Sequence, residues 1–237
     1  MQKMIVSDYD DTFYINDEDI INNVNMVNNF MKKNIFVIAT GRSYFDFKRK
    51  KDMYNINYNY LILNHGATIL FNNEIIENKI IDNKIKAQLI KDLEFDHSVN
   101  SFSCSELESR LSFEVNDLTK IHIEYINKEI AIKVYNKLIN KYSNYLNIFL
   151  VMKNKALEIV SNKTNKAIAI SKIRDLEKID QNDIYVIGDS YNDIEMIKKY
   201  KGFSMINSVD DVSKISLKQY SSVSDFIKEV LTNKVDE

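Results

Sequence analysis

Five short apolar runs punctuate the chain without alternating polar positions: Met4 to Val6, Ile35 to Ala39, Tyr60 to Leu63, Ile184 to Ile187 and Phe203 to Ile206. Continuous runs of this length predict strands buried on both faces, as in a parallel sheet covered by helices. Between the first two runs, Ile20, Val24, Val27 and Met31 recur at helical spacing. Asp19 to Lys33 is therefore read as a crossover helix, and the unit as β-α-β. The stretch from Ile69 to Ile76, with Asn72-Asn73 at its centre, predicts a hairpin.

From about Ile81 to Ala156 the pattern changes. Helices are predicted from Asn83 to Leu93 and from Lys128 to Lys141. Strands are predicted at Ser98 to Cys104, Arg110 to Val115, Lys120 to Tyr125, Asn147 to Met152 and Leu157 to Val160. Two of these strands alternate. Leu111, Phe113, Val115, Ile121, Ile123 and Tyr125 fall on one face, and Arg110, Ser112, Glu114, Lys120, His122 and Glu124 on the other. The expected fold class is thus α/β, a Rossmann-like parallel sheet core covered by helices, with an inserted α+β domain. The expected boundaries are 1–80 and 157–237 for the core and 81–156 for the insertion.

Composition narrows the function classes. The 237 residues are 45% hydrophobic and 28% charged with a formal net charge of -2, which excludes a disordered chain and a global field that attracts nucleic acid or anionic membrane. The run Lys48-Arg49-Lys50-Lys51 is read as a solvated helix face. No apolar stretch nears the roughly 18 residues of a membrane span. With one cysteine and no secretory signal, a cytoplasmic location is expected. His97, His122 and Cys104 are too scattered for a zinc site and are read as structural. Proline is absent, and the four glycines are Gly41, Gly66, Gly188 and Gly202. The first three each follow an apolar run, where the backbone turns or something approaches it closely.

The ends of those runs carry the chemistry. Asp8 and Asp10, two apart on an extended backbone, project together at the carboxyl end of the first strand, where open α/β sheets bind ligands. The second run ends in Ala39-Thr40-Gly41-Arg42, and the fourth in Gly188-Asp189-Ser190-Tyr191-Asn192-Asp193. Helix capping alone would account for Asp189 and Asp193. Asn165-Lys166 opens a further helix, where a lysine opposes the dipole unless an anion lies near, although a solvated lysine also fits. Several carboxylates at one sheet rim repel unless a cation joins them, and an all-oxygen set suits Mg²⁺. A carboxylate nucleophile, a second acid, Mg²⁺ and a lysine together point to phosphoryl transfer.

These segments, in this order, resemble the motifs of the haloacid dehalogenase-like hydrolases, specifically the class IIB, Cof-type phosphatases. The match comprises Asp8-Tyr9-Asp10-Asp11-Thr12, Ala39-Thr40-Gly41-Arg42, Lys166 and Gly188-Asp189-Ser190-Tyr191-Asn192-Asp193. Asn64-His65-Gly66-Ala67 is similar to that group's Asn-Gly-Ala segment with one residue inserted or exchanged, and Glu158-Ile159 also matches. Asp11 stands where the family usually has Gly.

The resemblance implies Asp8 as nucleophile and metal ligand, and Asp10 as general acid and base whose carbonyl also ligates Mg²⁺. It further implies Asp189 as ligand and Asp193 behind it, orienting a metal-bound water. Tyr9, Thr40, Gly41, Lys166 and Asn192 would hold phosphoryl oxygens. The insertion becomes a cap, with Arg42, Arg110 and His122 as candidates for reading a small phosphorylated metabolite. A phosphomutase of the same fold, a non-catalytic binder and a phospho-acceptor signalling domain are the alternatives. No feature of the sequence sets an oligomeric state.

Overall fold

A computed structural model describes residues 2–93, 98–105, 110–111 and 117–232. The chain begins with β1 (Met4–Asp8), α1 (Asp17–Phe30), β2 (Ile35–Ala39), α2 (Tyr44–Tyr54) and β3 (Tyr60–Leu63), followed by the hairpin β4 (Thr68–Phe71) and β5 (Glu74–Asn78). The inserted segment supplies α3 (Asn83–Leu93), β6 (Val99–Ser105), β7 (Arg110–Leu111), β8 (Lys120–Tyr125), α4 (Lys128–Tyr142), β9 (Leu146–Val151) and β10 (Ala156–Ser161). The chain then forms α5 (Lys166–Glu177), β11 (Ile184–Gly188), α6 (Ile194–Lys199), β12 (Lys201–Met205), α7 (Asp210–Ser213), β13 (Gln219–Tyr220) and α8 (Val223–Leu231).

Two sheets result. The larger has the order β13-β12-β11-β1-β2-β3-β4-β5, parallel from β13 to β3 and antiparallel through the β4–β5 hairpin. Every residue of β1, β2, β3 and β11 is buried, as continuous apolar runs require. One face packs on α1, α2 and α8 through Ile5, Phe36, Val27 and Phe226, and the other on α5 and α6 through Val6, Val37, Ile170 and Ile197. From β1 the chain proceeds outward to β2 and β3, then returns to β11 on the opposite side of β1. The β1/β11 crevice is therefore the topological switch point, where such sheets bind ligands.

The crossover helix starts at Asp17, capped by the Asn16 side chain, which accepts from the Glu18 and Asp19 amides at 3.0 Å. It ends at Phe30, and Phe30 rather than Met31 takes its last buried position. Asn72 and Asn73, at φ 52° and 65°, form the left-handed turn of the hairpin.

The smaller sheet has the order β7-β6-β8-β10-β9. Ile121, Ile123 and Tyr125 bury one of its faces against Leu89 of α3 and Leu138 of α4. Its chain runs on to Ser161, past the boundary expected at 156. Of Arg110 and Leu111 only the strand is described. The expected Ser112, Phe113, Glu114 and Val115 lie outside the described residues, as does His97.

Candidate active site

Asp8 ends β1, buried, and meets the side chains that β11 and α5 bring to the same rim. Asn165 caps α5 by accepting from the Ile168 amide at 2.8 Å, and this sets Lys166 as the first helical residue. Lys166 points inward. Its Nζ donates to Asp8 Oδ1 and, at 2.7 Å, to Asp193 Oδ1, and only 1% of the side chain is exposed. The solvated alternative for this lysine is excluded.

Beyond β11, the turn folds back on Asp193. Its Oδ2 accepts from the Asp189 and Ser190 amides, both at 3.1 Å. Asp193 thus caps the turn and grips Lys166 at once, whereas Asp189 does not cap and instead accepts from Thr12 Oγ1 at 3.0 Å. A side chain at Gly188 would collide with the Asp193 carboxylate, so this turn closes only over glycine.

Carboxylate atoms of Asp8, Asp189 and Asp193 lie within 4.8 Å of one another. Three carboxylates face one ammonium, and the electrostatics show the excess. Burial raises the Asp8 carboxyl well above its ordinary value; Lys166 opposes this, while Asp193 and Asp189 add to it. Asp189 is pushed up to about 7 by burial and by Asp193, with Asp11 adding to the push. Burial also works against the charge on Lys166, but Asp193 and Asp8 outweigh it and hold the ammonium above its ordinary range. A divalent cation shared by the Asp8 and Asp189 carboxylates would relieve this repulsion, so the donor set fits Mg²⁺.

The loop after β1 returns sharply, with Phe13 N donating to Asp8 O at 3.2 Å and Tyr14 N to Tyr9 O at 2.8 Å. Asp11 sits in it at φ 57°, the left-handed conformation that glycine adopts freely and Asp tolerates. The Asp10 carboxylate is not one of the three in that cluster; Arg42 holds it through Nη2 at 2.7 Å and Nε at 2.9 Å. Thr40 is buried at the end of β2, where its Oγ1 accepts from the Arg42 amide at 3.1 Å. The basic run divides by helical geometry. Lys48 and Arg49 line the cavity above the cluster, while Lys50 donates to Tyr14 Oη and Lys51 pairs with Asp52.

That cavity, about 1550 Å³, is shared by Asp8, Asp10, Asp189, Asn192 and residues of the smaller sheet. The profile of the haloacid dehalogenase-like hydrolase family matches residues 5–109 and 94–225. The chain belongs to the haloacid dehalogenase-like hydrolases. An uncharacterized protein of Mycoplasma capricolum subsp. capricolum is 32% identical over 237 residues, covering 84% of this chain and 88% of that protein. A Mycoplasma genitalium protein named "Putative phosphatase MG125" is 31% identical over 121 residues, 51% of this chain and 42% of that protein. The crystal structure of a haloacid dehalogenase-like hydrolase from Bacteroides thetaiotaomicron superposes with a TM-score of 0.81 at 18% identity, covering 97% of this chain and 100% of that one. At that identity the two share the fold.

In this haloacid dehalogenase-like hydrolase the smaller sheet reaches into the site. Lys120 Nζ donates to Gly41 O and to Glu158 Oε1, both at 2.7 Å, and His122 Nδ1 lies 3.2 Å from the same Glu158 oxygen. Lys120 and His122 line the cavity; Glu124, on the same expected polar face, bonds Ser101 instead. Glu158 Oε2 receives the third member of the cluster, His65 Nε2, at 2.5 Å. Burial alone would raise the Glu158 carboxyl, but Lys120, His122 and His65 outweigh it and hold it well below its ordinary value. His65 follows β3 and was not among the expected site residues. The signal for it was its position, because β3 ends at the same rim as β1, β2 and β11.

Among the described residues no helix is long and apolar enough to cross a membrane.

Proposed function

We propose that this hydrolase releases phosphate from a small phosphorylated metabolite through an aspartyl phosphate at Asp8. The observation that carries the reading is the buried Lys166 joining Asp8 to Asp193 beside Asp189, an arrangement with an excess of negative charge and one free carboxylate oxygen on Asp8. That oxygen attacks phosphorus and the ester oxygen departs with its electron pair, taking a proton from Asp10. Asp10 then accepts a proton from the water that attacks the phosphoaspartate, which restores Asp8 and frees phosphate. In the arrangement described Arg42 holds Asp10 as a carboxylate, so Asp10 must leave this pair and carry a proton to serve the first transfer. Lys166, Asn192, Thr40 and the Tyr9 and Gly41 amides hold phosphoryl oxygens, so that positioning and charge neutralisation lower the barrier.

Asp8, Asp189 and the Asp10 carbonyl would hold Mg²⁺, with Asp193 behind them, and the ion when bound supplies neutralising charge to the phosphate. The inserted segment, 81 to about 161, acts as a cap, and the cavity between it and the core suits a leaving group larger than a two-carbon acid. A lone cysteine that is buried, with its thiol pushed up to about 12 by that burial, agrees with a cytoplasmic setting. The test is a free-phosphate screen over sugar phosphates, nucleotides and phosphorylated cofactors, with and without Mg²⁺. Transfer between hydroxyls without phosphate release would instead identify a mutase, and neither event would leave a binding protein.

A further inference from the structure

We propose that His65 is a positioning residue that fixes the direction of the Asn192 amide in the phosphate pocket, and that the cap holds His65 in place for this task. The inference rests on the phosphatase reading, in which Asn192 contacts a phosphoryl oxygen.

His65 is 2% exposed and stands at φ 56°, ψ 28°, in the left-handed region, and its ring is held on several sides. Three contacts hold it. The ring stacks on Phe149 of β9 with centroids 4.3 Å apart, and Glu158 of β10 bonds its Nε2. On its other side it abuts the turn that carries Thr40, where a Cβ on Gly41 would come within 2.5 Å of His65 Cε1.

The polarity of the chain of bonds follows from donor and acceptor rules. Glu158, held as a carboxylate, can only accept, so the hydrogen is on His65 Nε2. Burial disfavours a second proton on the ring, in spite of Glu158, so Nδ1 keeps its lone pair. Nδ1 lies 3.3 Å from Asn192 Nδ2, which therefore donates to it. Ser190 Oγ donates to Asn192 Oδ1 at 2.9 Å. The Asn192 carbonyl and one of its N–H groups are thereby committed, and the amide cannot flip without breaking both bonds. The second N–H is left for the cavity that Asn192 lines together with Asp8. Since Phe149 and Glu158 belong to the cap sheet, the orientation of a core phosphate donor depends on a seated cap.

A double-mutant cycle tests the inference, with p-nitrophenyl phosphate and Mg²⁺ as assay. His65→Leu should lower kcat/KM by about tenfold or more, and His65→Gln, which retains one donor and one acceptor, should recover most of the loss. In an Asn192→Ala background, His65→Leu should have less than about a twofold further effect, because its route of action is already gone. Losses that multiply would overturn the proposal, as would an unchanged kcat/KM in a folded His65→Leu. The chain has three histidines, so the ring nitrogens can be followed by ¹H–¹⁵N spectroscopy without any turnover. His65 is expected neutral with its proton on Nε2, and Asn192→Ala should shift Nδ1; a proton on Nδ1 overturns the proposal. If His65→Leu does not fold, His65→Gln and this spectrum decide. A wild-type enzyme that releases no phosphate rejects the phosphatase reading alone, and the spectrum still decides the orientation of Asn192.

Discussion

Lys120 and Gly41, 79 residues apart, are joined by a 2.7 Å bond from the lysine ammonium to the glycine carbonyl. The first lies on β8 of the cap and the second on the turn after β2. The same ammonium pairs with Glu158, whose other oxygen meets His65. Cap and core are therefore fastened to each other at the active-site rim by buried and half-buried polar groups. Such contacts are directional, so they specify one seating of the cap in a way that an apolar contact would not.

Asp8→Asn should lose turnover to below a few per cent of wild type, since the amide keeps the shape without the nucleophilic oxygen. The melting temperature should hold or rise. Burial and the neighbouring Asp189 and Asp193 raise the Asp8 carboxyl, which means that its charge opposes folding at neutral pH. Substantial residual phosphate release would sink the aspartyl-phosphate route.

Metal-free protein should lose stability as pH rises toward about 7. The folded Asp189 carboxyl binds its proton more tightly than the ordinary value of 3.8 allows in the unfolded chain, so stability falls between those values and levels off above about 7. Mg²⁺ should then raise the melting temperature more at pH 8 than at pH 5.5. Equal gains at both pH values, measured by calorimetry, would place the ion elsewhere.

The core was legible because its strands are buried on both faces, and burial leaves an unambiguous apolar run. The carboxylates were legible for a related reason: Asp8 and Asp189 each follow such a run after one intervening residue, Ser7 or Gly188. His65 was not, because its role comes from a left-handed turn and from cap strands nearly a hundred residues away, at Phe149 and Glu158. Lys48 and Arg49 are exposed, as the solvated-face reading expects, and what helical periodicity does not give is that this face borders the cavity. The expected boundary at 156 falls at the start of β10, which the smaller sheet carries to Ser161, and no proline or glycine between Ser161 and α5 marks the join in the sequence.

Asp11→Gly and Asp11→Ala should separate. At φ 57° alanine incurs the left-handed penalty of about 1 kcal/mol that glycine escapes, and it loses the local hydrogen bonding that lets Asp tolerate this region. Urea unfolding should therefore show the glycine variant the more stable of the two. The reverse order would mean that the turn after Asp8 takes another shape.

His122→Ala should reorder substrates by kcat/KM in the phosphate screen, because His122 lines the cavity on the cap side, away from the carboxylate cluster. A uniform loss across all esters would instead assign it to the support of Glu158.

Glu158→Gln should reveal how much of the cap's seating depends on charge. The folded carboxyl lies well below its ordinary 4.5 because Lys120, His122 and His65 outweigh the opposing effect of burial. A depressed acid stabilises the fold above its unfolded value, and that contribution is lost as pH falls through the folded one. At pH 7 the substitution leaves the buried Lys120 without its carboxylate and should cost about 1–3 kcal/mol. As pH is lowered from 5 toward 3, wild type should lose this advantage and the two unfolding curves should converge. A gap that stays constant to pH 3 would show that Glu158 serves through shape and hydrogen bonding alone, with no net contribution from its charge.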